Sequence, residues 1–196
     1  MQITNGANHV IMATHLGQSI HFSEEDVRIM GRTAAGVRGI RLNEEDYVVG
    51  MEVVKPEDKV LIVTENGYGK QTPIAQYSVQ GRGGKGVKTV SITDKNGPLT
   101  NMITVHGEED LMIMTVEGIL IRMSVDSISE TSRSTMGVRL IRLDDNDKVA
   151  TIAPTEKEED EVVEDAIAVE GEVTETAVVD EAVTEETNTD EPKTEE

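Results

Sequence analysis

Val60-Leu61-Ile62-Val63-Thr64-Glu65-Asn66-Gly67 decides the fold, because its pattern occurs three times. Val10-Ile11-Met12-Ala13-Thr14-His15-Leu16-Gly17 precedes it, and Leu111-Met112-Ile113-Met114-Thr115-Val116-Glu117-Gly118 follows. Each copy is four apolar residues, a Thr, two further residues and a Gly. Four consecutive apolar residues suit a strand buried on both faces. The glycine marks a tight turn, clearest at Asn66-Gly67, where both residues tolerate positive φ.

Working outward, other columns keep the same interval of 50 and then 51 residues: Ser23, Pro73 and Ser124; Arg32, Arg82 and Arg133; Gly36, Gly86 and Gly137; Val37, Val87 and Val138. Agreement of independent columns on one offset is the mark of a structural repeat. Each unit reads as four short strands. The apolar run is the first, and the alternating Ile119-Leu120-Ile121-Arg122-Met123 typifies the second. The third is Val37–Leu42, Val87–Ile92 or Val138–Leu143, with one wet face. The fourth lies near Val48–Val54, Leu99–Val105 and Val149–Ala153. Four antiparallel strands per unit predict an all-β fold, a partial β-propeller or β-pinwheel of three four-stranded blades at 9–54, 58–105 and 109–153. An unrelated β-sandwich is the alternative. Met1-Gln2-Ile3-Thr4 falls in register with Met51-Glu52-Val53-Val54, so residues 1–8 read as the closing strand of a missing preceding blade. Three blades fall below the ~4–8 that close a ring, which predicts a longer array or a half-ring needing a partner.

The charge is uneven. The chain of 196 residues carries −20, but residues 1–153 hold 16 basic and 20 acidic side chains, and residues 154–196 hold 2 and 18. The acidity therefore belongs to a tail, expected from Pro154 onward to be disordered. It reads either as a solubilising extension or as an acidic competitor for a basic surface. The absence of Cys excludes disulfides, a Cys nucleophile and thiolate metal sites. No apolar run approaches a membrane span, and no signal peptide opens the chain; a cytoplasmic location is the default. With one Phe and no Trp, aromatic base stacking is not the main mode of any binding. His9, His15, His21 and His106 show no metal-ligand spacing, so no metal or cofactor is expected. Tyr47, Tyr68 and Tyr77 lack the neighbours of a catalytic tyrosine.

Gln80-Gly81-Arg82-Gly83-Gly84-Lys85-Gly86, followed by Val87-Lys88, is the informative loop. Four glycines in seven residues let the chain turn sharply and expose backbone N–H groups. Arg82, Lys85 and Lys88 add three positive charges. Such groups contact phosphates without reading bases. No Lys-Ser/Thr ending or helix follows, so this is not a nucleotide P-loop. A flexible basic linker is the bland reading. Against it, Arg32 and Arg133 recur in the equivalent loops, and Arg38, Arg41, Arg139 and Arg142 recur on the third strands. Equivalent positions in a ring lie on one curved rim, which could bend DNA if electrostatics repay several kcal/mol.

Gln80–Gly86 resembles the Gln-Arg-Arg-Gly-Gly-Lys-Gly box of the DNA gyrase A subunit family. Val27–Arg32 with Gly36–Leu42, and Asn66-Gly67-Tyr68-Gly69-Lys70-Gln71-Thr72, look like the later blades of that family's C-terminal domain. The resemblance spans about residues 1–153, and the acidic extension is similar to the family's tail. It implies a β-pinwheel that binds and wraps double-stranded DNA, within an A2B2 enzyme of A and B subunits that supercoils DNA using ATP. On that reading the DNA-binding residues are Gln80, Arg82, Gly83, Gly84, Lys85, Gly86 and Lys88, with Lys70, Arg32, Arg38 and Arg133 in support. The breakage domain is absent, so the chain alone is not catalytic. Two departures stand out: Gly81 replaces the box's first Arg, and the box sits on the middle unit instead of the family's first blade. The topoisomerase IV subunit, which usually lacks the box, and a propeller-type interaction scaffold are the alternatives.

Overall fold

A computed structural model describes residues 2–157; the expected disordered tail lies outside the described residues from residue 158 on. Eleven strands are present among the described residues: β1 (His9–Thr14), β2 (Gln18–Ser23), β3 (Val48–Val54), β4 (Lys59–Thr64), β5 (Tyr68–Pro73), β6 (Val87–Lys88), β7 (Leu99–Val105), β8 (Glu109–Thr115), β9 (Leu120–Ser124), β10 (Val138–Arg139) and β11 (Val149–Glu156). The only helices among the described residues are single 3₁₀ turns at Glu24–Asp26, Ile74–Gln76 and Val125–Ser127, again at the repeat interval. The fold is all-β.

The hairpins form as the repeat dictates. Gly17, Gly67 and Gly118 all have positive φ, between 76° and 90°. The repeated Thr braces each turn. Thr14 Oγ1 accepts from Gln18 N–H at 3.2 Å and Thr115 Oγ1 from Ile119 N–H at 3.1 Å, whereas the Thr64 hydroxyl donates to Tyr68 O at 3.3 Å. Beside that Thr each sheet carries a register shift, between Ala13 and Thr14, Val63 and Thr64, and Val149 and Thr151. A bulge of this kind increases local twist.

The strand orders are β3-β1-β2-β6, β10-β5-β4-β7 and β11-β8-β9. They correct the expected blade in three ways. The third strand is two residues long, not six, and it joins the sheet of the preceding unit: β6 pairs with β2 and β10 with β5. Val37–Leu42, the same segment of the first unit, forms no strand, because no preceding sheet is there to receive it among the described residues. The third sheet accordingly has three strands, not four. The first and second blades are thus each finished by their successor. We call the segment after Gly36, Gly86 or Gly137 a hook.

Both ends of the unit boundaries also shift. Residues 2–8 form no strand; instead the Gln2 side chain accepts from Val53 N–H at 2.8 Å and donates to Glu52 at 2.7 Å. The closing strand expected there is replaced by side-chain contacts along β3. At the other end β11 runs past Ala153 and pairs through Glu156↔Glu109, because Pro154 opposes Leu111 at the sheet's edge strand, where a missing N–H is tolerated.

The apolar runs explain how the blades stack. In β4, Val60 and Ile62 point into one core with Ile11, Ala13, Val54, Leu99 and Val90. Leu61 and Val63 point the other way, to Leu111, Ile113, Val149 and Ile141. The strand is buried on both faces, as four apolar residues in a row require. Each such side chain contributes roughly 1.5–3 kcal/mol by burial. A smaller cluster of Val10, Ile20, Phe22 and Ile40 covers the outer face of the first sheet.

Candidate nucleic-acid interface

The glycine-rich segment 80–88 is a loop plus a hook, and its shape follows from close backbone approach. Gly86 has φ +75°, and a Cβ there would stand 2.2 Å from Ser19 O. Only glycine fits. Gly137 repeats this against Gly69 O at 2.6 Å. Further bonds pin the loop: Gln80 N–H donates to His21 O at 2.7 Å, Gly83 N–H to Gly39 O at 2.6 Å, and Thr89 N–H to Gly17 O at 2.9 Å. Arg41 N–H in turn donates to Gly84 O at 2.7 Å. The first hook therefore runs beside the loop that leads into the second.

The repeated arginine joins them. Arg82 donates to Arg38 O at 2.7 Å and to Asp26 O at 3.1 Å. Arg133 donates to Lys88 O, the equivalent carbonyl one repeat later. Both guanidiniums thus position a neighbouring hook, and each leaves part of its planar fork unused. Arg32 is exposed, with no described partner. Lys85 and Lys88 are exposed, and their ammonium groups are unpaired among the described residues; so are the side chains of Arg38 and Arg41. The row of hooks consequently presents Arg38, Arg41, Lys85 and Lys88 outward, with Gly83 and Gly84 half-buried between them.

Lys70 corrects the expectation. It is fully buried, and its ammonium donates to Ser132 O at 2.7 Å, Arg133 O at 2.6 Å and Thr135 Oγ1 at 3.3 Å. Burial, with the Arg133 charge in second place, pulls its pKa down to about 8. Lys70 cannot reach an external phosphate; it holds the third unit's loop. Nothing in the alternation of Tyr68-Gly69-Lys70-Gln71-Thr72 reveals this, because β5 is buried yet polar: Gln71 spans to Val125 O and Ile128 O at 2.7 and 3.0 Å, and Thr72 donates to Thr131 O at 3.0 Å.

A second basic cluster surrounds Tyr68. Its hydroxyl accepts two bonds from Arg139, at 3.2 and 2.9 Å. The Arg139 guanidinium and the Lys95 ammonium sit 5.4 and 5.7 Å from the ring centroid, within cation–π range. Arg142 lines the same hollow. Lys95 was not legible as a site residue; only the folded turn brings it beside the hook of the next unit.

His9 and His21, which show no metal-ligand spacing in the sequence, meet at 3.0 Å. Tyr77 O can only accept, so His21 Nδ1 donates to it at 2.8 Å and Nε2 accepts from His9 Nδ1. Burial lowers the His21 pKa, the bond to Tyr77 opposes this, and the His9 charge lowers it further. No group of three or more potential metal ligands occurs among the described residues. Tyr77 is buried, with its hydroxyl 2.7 Å from Thr89 Oγ1, which removes it from any surface chemistry.

Three blades, the first two each completed by a hook from the next, with cations carried along the row of hooks, define a strand-exchanging β-propeller repeat with a basic face. Its family is then settled by comparison. Residues 8–55, 58–106 and 109–156 match the family described as DNA gyrase C-terminal domain, beta-propeller, and the chain belongs to that family. It is 48% identical over 162 residues to the DNA gyrase A subunit of Staphylococcus epidermidis, covering 82% of this chain and 18% of that protein. Against the DNA gyrase A subunit of Staphylococcus aureus MRSA252 it is 47% identical over 167 residues, covering 84% and 19%. The chain thus spans under a fifth of the length of these curated relatives. A solved DNA gyrase A C-terminal domain superposes with a TM-score of 0.72 at 27% identity, over 78% of this chain and 52% of that one. A topoisomerase IV C-terminal domain gives 0.75 at 23% identity, over 79% and 49%, a likeness of fold alone. No helix among the described residues is long and apolar enough to cross a membrane.

Proposed function

We propose that the chain is a DNA-binding part of the DNA gyrase A subunit that guides duplex DNA along its row of hooks, supporting ATP-dependent supercoiling by an enzyme of A and B subunits in the bacterial cytoplasm. The observation that carries this reading is the repeated arginine bond. Arg82 and Arg133 lock successive hooks in line through backbone carbonyls, and the neighbouring cations are left without partners. Lys85, Lys88, Arg38 and Arg41 then act as phosphate contacts, with Arg32, Arg139, Arg142 and Lys95 extending the track. Such contacts position DNA and carry no sequence code. Gln80, Gly83, Gly84 and Gly86 shape the loop, and Lys70 holds the next one. The chain itself is proposed to be non-catalytic and to need no cofactor.

Gel shifts with duplex DNA on the full chain test this. Affinity falls steeply with salt, because each neutralised phosphate contributes about −0.9 to the log–log slope. Lys85→Ala with Lys88→Ala reduces the slope by roughly 2 and weakens binding at all sequences alike, while the fold remains intact. A salt-independent affinity, or a double variant that binds as wild type, overturns the assignment.

A further inference from the structure

Two joints between blades are filled by a hook, β6 on β2 and β10 on β5. The segment leading into each hook first lies along the receiving strand, by the same contacts. His21 bridges to Val79, and Gln71 to Glu130. Gln80 N–H donates to His21 O, and Thr131 N–H to Gln71 O. The side chain on the strand then reaches across the joint to an equivalent carbonyl. His21 Nδ1 donates to Tyr77 O at 2.8 Å, and Gln71 Nε2 to Ile128 O at 3.0 Å. An imidazole thus stands at the first joint where an amide stands at the second.

The charges around the two joints differ as well. At the second, Lys59 meets Glu130 at 2.9 Å. At the first, His9 takes the place of Lys59 and Val79 that of Glu130, and His9 meets His21 at 3.0 Å. The hollow beside this pair is lined by one further charged group, Lys55, and by no carboxylate. The carboxylates on the neighbouring elements are engaged elsewhere: Glu24 with Asn8 N–H, Glu52 with Gln2, and Asp58 with Lys55 N–H and His106. The Tyr77 phenol is turned to Thr89. Because His21 Nδ1 donates to Tyr77 O, its Nε2 is the acceptor of the His9 bond. One added proton can be shared along that bond, but as a buried charge with no anion to balance it. A second sets N–H against N–H and breaks the bond. An amide has no such states.

We propose that the first joint is a proton-operated latch: charging of the His9–His21 pair releases residues 77–80 from β2, while the second joint, held by Gln71, stays shut. Burial lowers the His21 pKa from its ordinary 6.5, the bond to Tyr77 opposes this, and the His9 charge lowers it further. The closed joint therefore binds fewer protons than the open one, and closure weakens as pH falls below 6.5. The other histidines are not built this way. His15 donates through Nδ1 to Leu99 O at 3.0 Å, a bond it keeps when protonated. A proton on His106 meets the Asp58 carboxylate at 3.3 Å.

Residue-resolved amide exchange on the full chain without DNA tests the latch independently of DNA binding. The Gln80 and Thr131 amides report the two joints directly, since each donates across one of them. After correction for intrinsic exchange, protection at Gln80 falls about tenfold between about pH 7.5 and about pH 5, within the roughly thirtyfold limit for one imidazole held wholly neutral. Protection at Thr131 holds. His21→Gln installs the second joint's side chain and abolishes the fall. Val79→Glu, at a position 56% exposed, supplies the second joint's carboxylate; an opposite charge favours the charged pair in the closed joint, so the fall shrinks to about threefold or less. Protection at Gln80 that ignores pH, or that is lost equally at Gln80 and Thr131, overturns the proposal. So does a His21→Gln chain that keeps the wild-type fall, because the response then belongs to another group. Should His21→Gln not fold, Val79→Glu decides, and a fall as large as wild type's overturns the latch.

Discussion

The two filled joints use one backbone plan and hold it by different means. At the first, β6 lies on β2, Gly84 stands over the apolar Ile20, and the loop carries glycines with free lysines. At the second, β10 lies on β5, and the position of Ile20 is taken by Lys70, whose ammonium is spent on the loop's own carbonyls. Arg139 there is likewise engaged with Tyr68. A loop held by glycine and backbone bonds leaves its cations for a ligand; a loop held by a buried cation does not. The first joint is therefore the stronger candidate for gripping DNA, and the second for stiffening the array.

The shared plan breaks most severely at its glycines. Gly86→Ala introduces a Cβ 2.2 Å from a backbone oxygen at a φ of +75°, and neither group is a flexible side-chain end. The expected loss is about 3–4 kcal/mol, in the range of severe strain and overpacking. Gly137→Ala, with 2.6 Å of approach, costs somewhat less. Urea unfolding should rank Gly86→Ala below Gly137→Ala, and both below Gly36→Ala, where nothing lies within 4 Å of the added Cβ. Equal losses at Gly36 and Gly86 would show that conformation alone, not the seat on Ser19, fixes the hook.

Lys70→Met sharpens the contrast next. The thioether fills much the same space but leaves Ser132 O and Arg133 O without their donor; each unsatisfied buried carbonyl costs about 1–3 kcal/mol. Faster amide exchange should appear in 129–140 and not in 80–90. A pH signature accompanies it. The folded pKa of Lys70 is about 8 against an ordinary 10.5, so the unfolded chain binds more protons between those values, and stability rises with pH across that window. Wild type should gain on Lys70→Met from pH 8 to 10.5. A pH-independent difference would mean that Lys70 keeps an ordinary pKa in the fold.

The contrast also shows where sequence reading stops. The apolar runs and turn glycines declared the repeat because local periodicity dictates them. Strands β3 and β7 match their expected spans, Val48–Val54 and Leu99–Val105. Which sheet a two-residue hook joins is not local: Val87-Lys88 alternates identically whether it completes its own blade or the one before. The same limit governs the site. Lys85 and Lys88 were legible as exposed loop cations because glycines and charge cluster in one segment. Lys70 was misplaced because a lysine on a polar-looking strand reads as exposed, and its burial depends on carbonyls 62 and 63 residues away. The His9–His21 contact is similarly invisible until β1 and β2 pair.

The smallest effect expected concerns Gly81. It is exposed, its φ is not positive, and nothing lies within 4 Å of a Cβ built there, so glycine is not required by the fold. Gly81→Arg restores the first Arg of the box beside Arg82 without steric cost. Stability should stay within about 0.5 kcal/mol of wild type, as for ordinary surface substitutions. One more cation on the loop adds one phosphate contact, so the log–log salt slope of DNA binding should steepen by roughly 0.9. Affinity rises severalfold in dilute buffer, and the gain fades as salt increases. A like charge two residues further along the equivalent loop, at the second joint, separates charge from place. Ser134→Arg adds an identical charge on an exposed loop position, but beside Arg133 and Arg139, which already bond within the fold. If the first joint is the DNA grip, Gly81→Arg steepens the slope more than Ser134→Arg does. Equal gains from both would show that the row of hooks acts as a uniform basic band, and that the difference between the joints concerns stiffness alone.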